Sequence, residues 1–135
     1  MSNIACQGLY QDVVQELGAG VTNDKSKPKF IRAVNRALDE LSLVADKATK
    51  LTHITAVDSI ITDLDTHYEY ILYRGTIFNM IRMGHRPVDP KLAQVIYNDS
   101  EKMWALAKAD YVVALDNANQ ATSTNDVWGL GYVDS

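Results

Sequence analysis

The residues best placed to do chemistry stand at alternate positions: Asp63, Asp65 and His67. On an extended strand, two carboxylates and an imidazole at this spacing would converge on one side, as a divalent metal requires. The same residues directly precede a helical pattern, however. There Asp and Thr act as caps, and negative charge suits the helix dipole. Capping is the better account of them. The single cysteine, Cys6, has no histidine near it in sequence and cannot close an internal disulfide, which points to a structural thiol in a reducing compartment. His53, His67 and His85 fall on separate elements, and the sequence holds no His-Glu-x-x-His, Cys-x-x-Cys or glycine-rich phosphate loop. The expectation is a protein without catalytic residues, cofactor or metal. It is not an enzyme on this reading.

Charge points toward surfaces instead. The 135 residues carry a net charge of −4, a poor match to a dedicated nucleic-acid binder. The distribution is uneven. Residues 24–50 hold seven Lys/Arg against four Asp/Glu, so this stretch is +3 and the remainder −7. Lys25, Lys27, Lys29, Arg32 and Arg36 lie close together within it. They form either a solvated face or a contact for an acidic partner. The start, Met-Ser-Asn-Ile, has neither the basic residues nor the apolar run of a signal peptide, and no stretch approaches the ~20 apolar residues of a membrane span. No membrane partner is expected.

The elements that position these residues are mostly helical. Residues 4–17 repeat Tyr10, Val13, Val14 and Leu17 at helical spacing, capped by Ser2 or Asn3 and stopped by Gly18 and Gly20. A second helix opens near Ser26, with Pro28 in its first turn and one apolar stripe of Phe30, Ile31, Val34, Leu38, Leu41 and Val44. Arg32, Asn35, Arg36, Asp39 and Glu40 are expected on its polar side. The helical period then fails. Residues 51–63, rich in Ile, Val and Thr, predict a short β-hairpin or an extended arm, which must pack on something to be stable.

Thr66-His67-Tyr68-Glu69 fits a capping box opening a third helix, with Tyr68, Ile71, Leu72, Gly75, Phe78 and Ile81 or Arg82 on one face and Gly84 as its stop. Gly75 can mark a close helix approach. Asp89-Pro90 starts a long fourth helix over residues 90–118, whose inner side is expected to be Leu92, Ile96, Met103, Trp104, Ala107, Tyr111, Ala114 and Leu115. The fold class is therefore mainly α: a four-helix bundle with a long C-terminal helix, an arm or hairpin between helices 2 and 3, and a flexible C-terminal tail. Residues 1–118 make one helical domain and 119–135 the tail.

The helix Phe30-Ile31-Arg32-Ala33-Val34-Asn35-Arg36-Ala37-Leu38-Asp39-Glu40-Leu41 resembles the asparagine-x-alanine helix of head–tail connector (adaptor) proteins of tailed bacteriophages. Asp65-Thr66-His67-Tyr68-Glu69-Tyr70-Ile71-Leu72-Tyr73-Arg74-Gly75 resembles the capped helix of the same family, which follows an Ile/Val/Thr segment as it does here. The similarity covers residues 26–118; the first helix and the loop after it depart from the pattern. The resemblance implies a virion structural protein at the head–tail junction, present in host cytoplasm before assembly. It implies a homo-oligomeric ring, twelve-fold like the portal, that binds the portal protein, docks the next tail component and prolongs the channel through which viral DNA passes.

Within that frame three surfaces are expected to bind partners. The tail ends in Val127, Trp128, Leu130, Tyr132 and Val133, apolar anchors on a polar tether, suited to the portal or a neighbouring subunit or else folded back on the core. Ile54, Val57, Ile60 and Ile61 of the arm suit a subunit interface by strand addition. Lys25, Lys27, Lys29, Arg32 and Arg36 face an acidic partner or the channel lumen. The alternative is a small helical regulatory or adaptor protein that binds nucleic acid through this basic patch.

Overall fold

The computed structural model describes residues 3–17, 26–46, 50–84 and 89–128, with the side chains of the last helix as far as residue 118. It is mainly α. Four helices, α1 (Cys6–Leu17), α2 (Ser26–Val44), α3 (Glu69–Arg82) and α4 (Pro90–Trp128), are joined by a two-stranded antiparallel sheet, β1 (Ile4–Ala5) and β2 (Ile60–Ile61). Between α2 and α3, residues 50–64 form the extended arm. Its strand finds a partner at the start of the chain, with Ile4 opposite Ile61 and Ala5 opposite Ile60. The N–H of Cys6 extends the pairing by donating to the Ser59 carbonyl at 3.0 Å. The first helix accordingly begins at Cys6, and Ile4 is a buried strand residue.

α3 is the central element, packed on α2, α4 and α1. Nine of its fourteen residues are buried, from Ile71 to Ile81, because helices cover it on several sides. Such burial presses polar side chains to find partners, and the buried ones of α3 do so except at Asn79 Oδ1, which has none among the described residues. Thr76 Oγ1 donates to the Leu72 carbonyl at 2.8 Å, and Asn79 Nδ2 donates to the Ala33 carbonyl of α2 at 3.0 Å. Gly75 sits where three helices meet. A Cβ built there would lie 2.6 Å from Cη2 and 2.8 Å from Cζ3 of Trp104, and 2.9 Å from Cβ of Ala37. Only glycine admits this approach. At the end of the helix, Gly84 adopts φ +107°, a conformation that a side chain would strain.

The entry to α3 differs from the expected capping box. Thr66–Tyr68 form a single 3₁₀ turn, and its cap is Asp65, whose carboxylate accepts from the backbone N–H of His67 at 3.1 Å. Asp65 outcompetes Thr66 because an Asx turn satisfies a donor two residues on without reorienting the chain. α4 starts as its sequence predicts: Asp89 Oδ1 accepts from Lys91 N at 2.9 Å, with Pro90 at the first helical position. Its length does not match. The helix continues to Trp128, so residues 119–128 are helical rather than an extended tether. No glycine or proline interrupts 91–128, and Gly129 is the first breaker. Thirty-nine residues give a rod of about 58 Å.

Candidate functional site

The arm is held to α2 through side chains rather than through a sheet. Asn35 makes a two-point clamp on Ile54: its Oδ1 accepts from Ile54 N at 2.7 Å and its Nδ2 donates to Ile54 O at 3.0 Å. A side-chain amide here takes the place of a neighbouring strand's peptide group. One turn along, Asp39 Oδ1 meets His53 Nε2 at 2.7 Å. Further on, Ser42 Oγ accepts from Leu51 N at 2.9 Å while donating to the Leu38 carbonyl at 2.9 Å. Within the arm, Asp63 Oδ2 accepts from Thr52 N at 2.8 Å and from Thr52 Oγ1 at 2.9 Å. Asn35, Asp39 and Ser42 thus attach the arm, a duty that helical periodicity alone does not reveal.

Glu40 joins α2 to α4 in the same manner. Its Oε1 accepts from Trp104 Nε1 and from Lys108 Nζ, both at 3.2 Å. The Lys108 ammonium also lies 5.2 Å from the Trp104 ring centroid. The tryptophan that excludes a side chain at Gly75 is therefore fixed at its polar edge by α2. Three of the five polar residues expected on the outside of α2, Asn35, Asp39 and Glu40, work as tethers to neighbouring elements.

The possible metal set of Asp63, Asp65 and His67 does not converge. Asp63 turns to Thr52, while Asp65 accepts from the backbone of His67 and pairs with its ring Nδ1 at 2.9 Å. Among the described residues no three His, Cys, Asp or Glu side chains form a metal-holding group. Cys6 is fully buried. Burial, with the Glu69 carboxylate as a lesser cause, pushes its thiol up to about 11, so it stays protonated and unreactive near neutrality. Between α1 and α3 lies an open cleft of about 420 Å³ lined by Asp12, Gln15, Glu16, Glu69, Tyr70 and Tyr73. Tyr73 donates to Glu16 Oε1 at 3.2 Å, and its pKa is raised by burial first and by Glu16 second.

Two exposed helix faces remain. On α2, Lys29, Arg32, Arg36 and Leu43 fall within an arc of about 60°, counted at 3.6 residues per turn. Lys29 is half-buried, Arg32 and Arg36 are exposed, and Leu43 is 79% exposed. None of the three cations has an ion-pair partner among the described residues. Lys27 is exposed on another side of the helix, and Lys25 lies outside the described residues. Arg32 and Arg36 also border a cleft of about 380 Å³ shared with Asn35, Asp39, His53 and Met83.

α4 carries two apolar lines. The inner one is Trp104, Ala107 and Tyr111, flanked by Ile96, Tyr97 and Leu115. Burial lifts the Tyr111 hydroxyl to about 12, with smaller contributions from Tyr68 and Asp63. The outer line is Leu92, Val95, Met103, Leu106 and Val113, each between 46% and 61% exposed. These five lie within an arc of about 80° and extend over about 32 Å of helix, roughly opposite the Trp104 and Lys108 side chains that reach α2. Leu92 and Met103, expected inside, are therefore outside. A single-stripe reading merges two lines that three-dimensional packing separates.

The remaining expected site residues divide between core and surface. Ile54 and Ile61 are buried in this chain's own core, Val57 is half-buried against it, and Ile60 is 61% exposed. Strand addition through the arm thus has Ile60 available but not Ile54 or Ile61, because β1 and α2 already use that surface. Val127 and Trp128 belong to the last turn of α4, while Leu130, Tyr132 and Val133 lie outside the described residues. No described helix is long and apolar enough to cross a membrane. Comparison of the chain with protein-family models, curated proteins and solved structures returns no match.

Proposed function

We propose that this protein is a non-enzymatic head–tail adaptor of a tailed bacteriophage, a subunit of a ring below the portal that prolongs the DNA channel and docks the tail. The observation that carries this reading is the outer line of α4, five large apolar side chains held in water along one face of a long helix. An apolar face of this extent on a helix is the mark of an interaction surface. The resemblance over residues 30–41 and 65–75 supports the same reading, and it supplies the portal, the tail component and the twelve-fold ring as partners and stoichiometry. The net charge of −4 suits a channel that passes DNA without retaining it.

In this reading Val127, Trp128, Leu130, Tyr132 and Val133 dock onto the portal or an adjacent subunit, carried there by the end of α4. The test is electron microscopy of the purified chain mixed with the portal protein of the same genome. Rings capping the portal are expected, and deletion of residues 126–135 should abolish them while leaving the melting temperature of the free chain unchanged. A chain that never binds a portal refutes the reading.

A second reading has its own observation, the unpaired alignment of Lys29, Arg32 and Arg36. It makes the protein a helical nucleic-acid binder. DNA affinity that falls steeply with salt, and loses that slope in Arg32→Glu, would establish it; no binding at low salt removes it.

A further inference from the structure

The two exposed helix faces have complementary chemistry. We infer that the outer line of α4 is a docking surface for a second copy of this chain, and that its occupant is the edge of that copy's α2 formed by Lys29, Arg32, Arg36 and Leu43. The inference deepens the adaptor reading, on which it rests for the expectation that the chain assembles.

The apolar residues of the α4 line alternate with acids. Asp99 and Asp110 lie in the same arc as Leu92, Val95, Met103, Leu106 and Val113, both exposed and neither in an ion pair among the described residues. That pattern disfavours pairing of α4 with itself. In a parallel, in-register pair each aspartate faces its own counterpart. In an antiparallel pair that sets Met103 against Leu106, Asp99 faces Asp110. Like charges opposed in a helix seam destabilise it.

The α2 edge supplies what the seam lacks. Arg36 and Leu43 are seven residues apart, as are Asp110 and Met103, and Asp99 and Leu106. Run antiparallel, Arg36 opposite Asp110 places Leu43 opposite Met103. Run parallel, Arg36 opposite Asp99 places Leu43 opposite Leu106. Either direction sets cation on anion and covers Leu43, the most exposed large apolar residue described. The α4 line lies away from the side of α4 that holds Glu40 of α2, so this chain's own α2 does not cover it, and the contact joins unlike faces of two copies. The contact is therefore head-to-tail, each copy keeping one free face of each kind, so that association continues until it closes.

The test is sedimentation velocity of the full chain up to about 1 mM, at low and at physiological salt. The wild type should self-associate more tightly at low salt. Leu106→Asp and Arg36→Glu should each weaken association about tenfold or more, with circular dichroism confirming that these exposed substitutions leave the fold intact. An equimolar mixture of the two variants retains one competent α4 face and one competent α2 face, so it should form dimers and stop there. Association should return when Arg36→Glu is combined with Asp110→Arg if the helices run antiparallel, or with Asp99→Arg if they run parallel; return with neither overturns the inference.

A wild type that stays monomeric throughout overturns the inference. So does Arg36→Glu that associates like the wild type, or a mixture that remains monomeric. The adaptor reading fails separately: mixed-variant dimers from a chain with no portal affinity would retire that reading and leave this one. Portal-bound rings built from Leu106→Asp would do the reverse.

Discussion

Gly75→Ala tests the packing argument most directly, because two opposed effects have estimable sizes. Replacing a mid-helix glycine by alanine ordinarily stabilises a helix by about 1 kcal/mol. Here the new methyl meets Trp104 at 2.6 and 2.8 Å and Ala37 at 2.9 Å, where ordinary contact lies beyond 3.4 Å. The Trp104 ring cannot swing aside, since Glu40 holds its Nε1 and the residue is 1% exposed. Ala37 Cβ is attached to the backbone of α2. Relief must then come from separating helices, an overpacking cost of about 3 kcal/mol at the upper end of such insertions. The net expectation is a loss of about 2 kcal/mol, or a fall in melting temperature on the order of 8 °C for a domain of this size. The assay is thermal and urea unfolding followed by circular dichroism. Gly8→Ala is the control, because nothing lies within 4 Å of a Cβ on that helical residue. It should stabilise by up to about 1 kcal/mol. If Gly75→Ala proved as stable as the wild type, the three-helix contact described above would be wrong.

Three further predictions follow from named contacts. Asn35→Ala removes both bonds to Ile54, so amide exchange in residues 51–63 should accelerate about thirtyfold, equivalent to about 2 kcal/mol, while Asn35→Asp keeps the acceptor and loses roughly half as much. Asp89→Ala removes the cap of α4 and should cost about 1 kcal/mol in urea unfolding. The raised Cys6 pKa means the folded state keeps a proton that the unfolded state loses above 9.0, so its stabilisation is complete below pH 9 and disappears as pH climbs to about 11. The stability difference between wild type and Cys6→Ala should therefore be constant below pH 9 and shrink by on the order of 2 kcal/mol above it, measured by urea unfolding at each pH.

Helix periodicity carried most of the architecture. The stripe containing Phe30, Val34, Leu38 and Leu41 is buried, Asp89-Pro90 opens α4, and Gly75 marks a close approach. Periodicity could not separate the two lines of α4, since Leu92 and Met103 match Trp104 and Tyr111 in hydrophobicity and differ only in which side another helix covers. Nor could it show that Asn35 and Ser42 bond the arm, because a polar residue on an outer helix face has the same spacing whether it meets water or a backbone amide. The partner of β2 was illegible for a different reason: two residues at the start of the chain carry too little pattern to declare a strand. The helical course of 119–128 runs against its polar composition, for absence of a breaker matters more there than propensity.

The pairing of β1 with β2 has a kinetic side. It joins Ile4 to Ile61 across 57 positions, whereas Asn35 reaches Ile54 across only 19. Closing the larger loop costs more chain entropy, so α2, the arm and α3 should assemble first and the N-terminal segment dock last. The same segment should be the first to leave in native-state fluctuations, since α1 buries only Cys6, Leu9 and Val13. Cys6 sits at the junction, its N–H bonded to Ser59 and its thiol covered. The chain thus contains its own clock: the rate at which a thiol reagent labels Cys6 measures how often the N-terminal segment opens while the rest of the bundle stays closed.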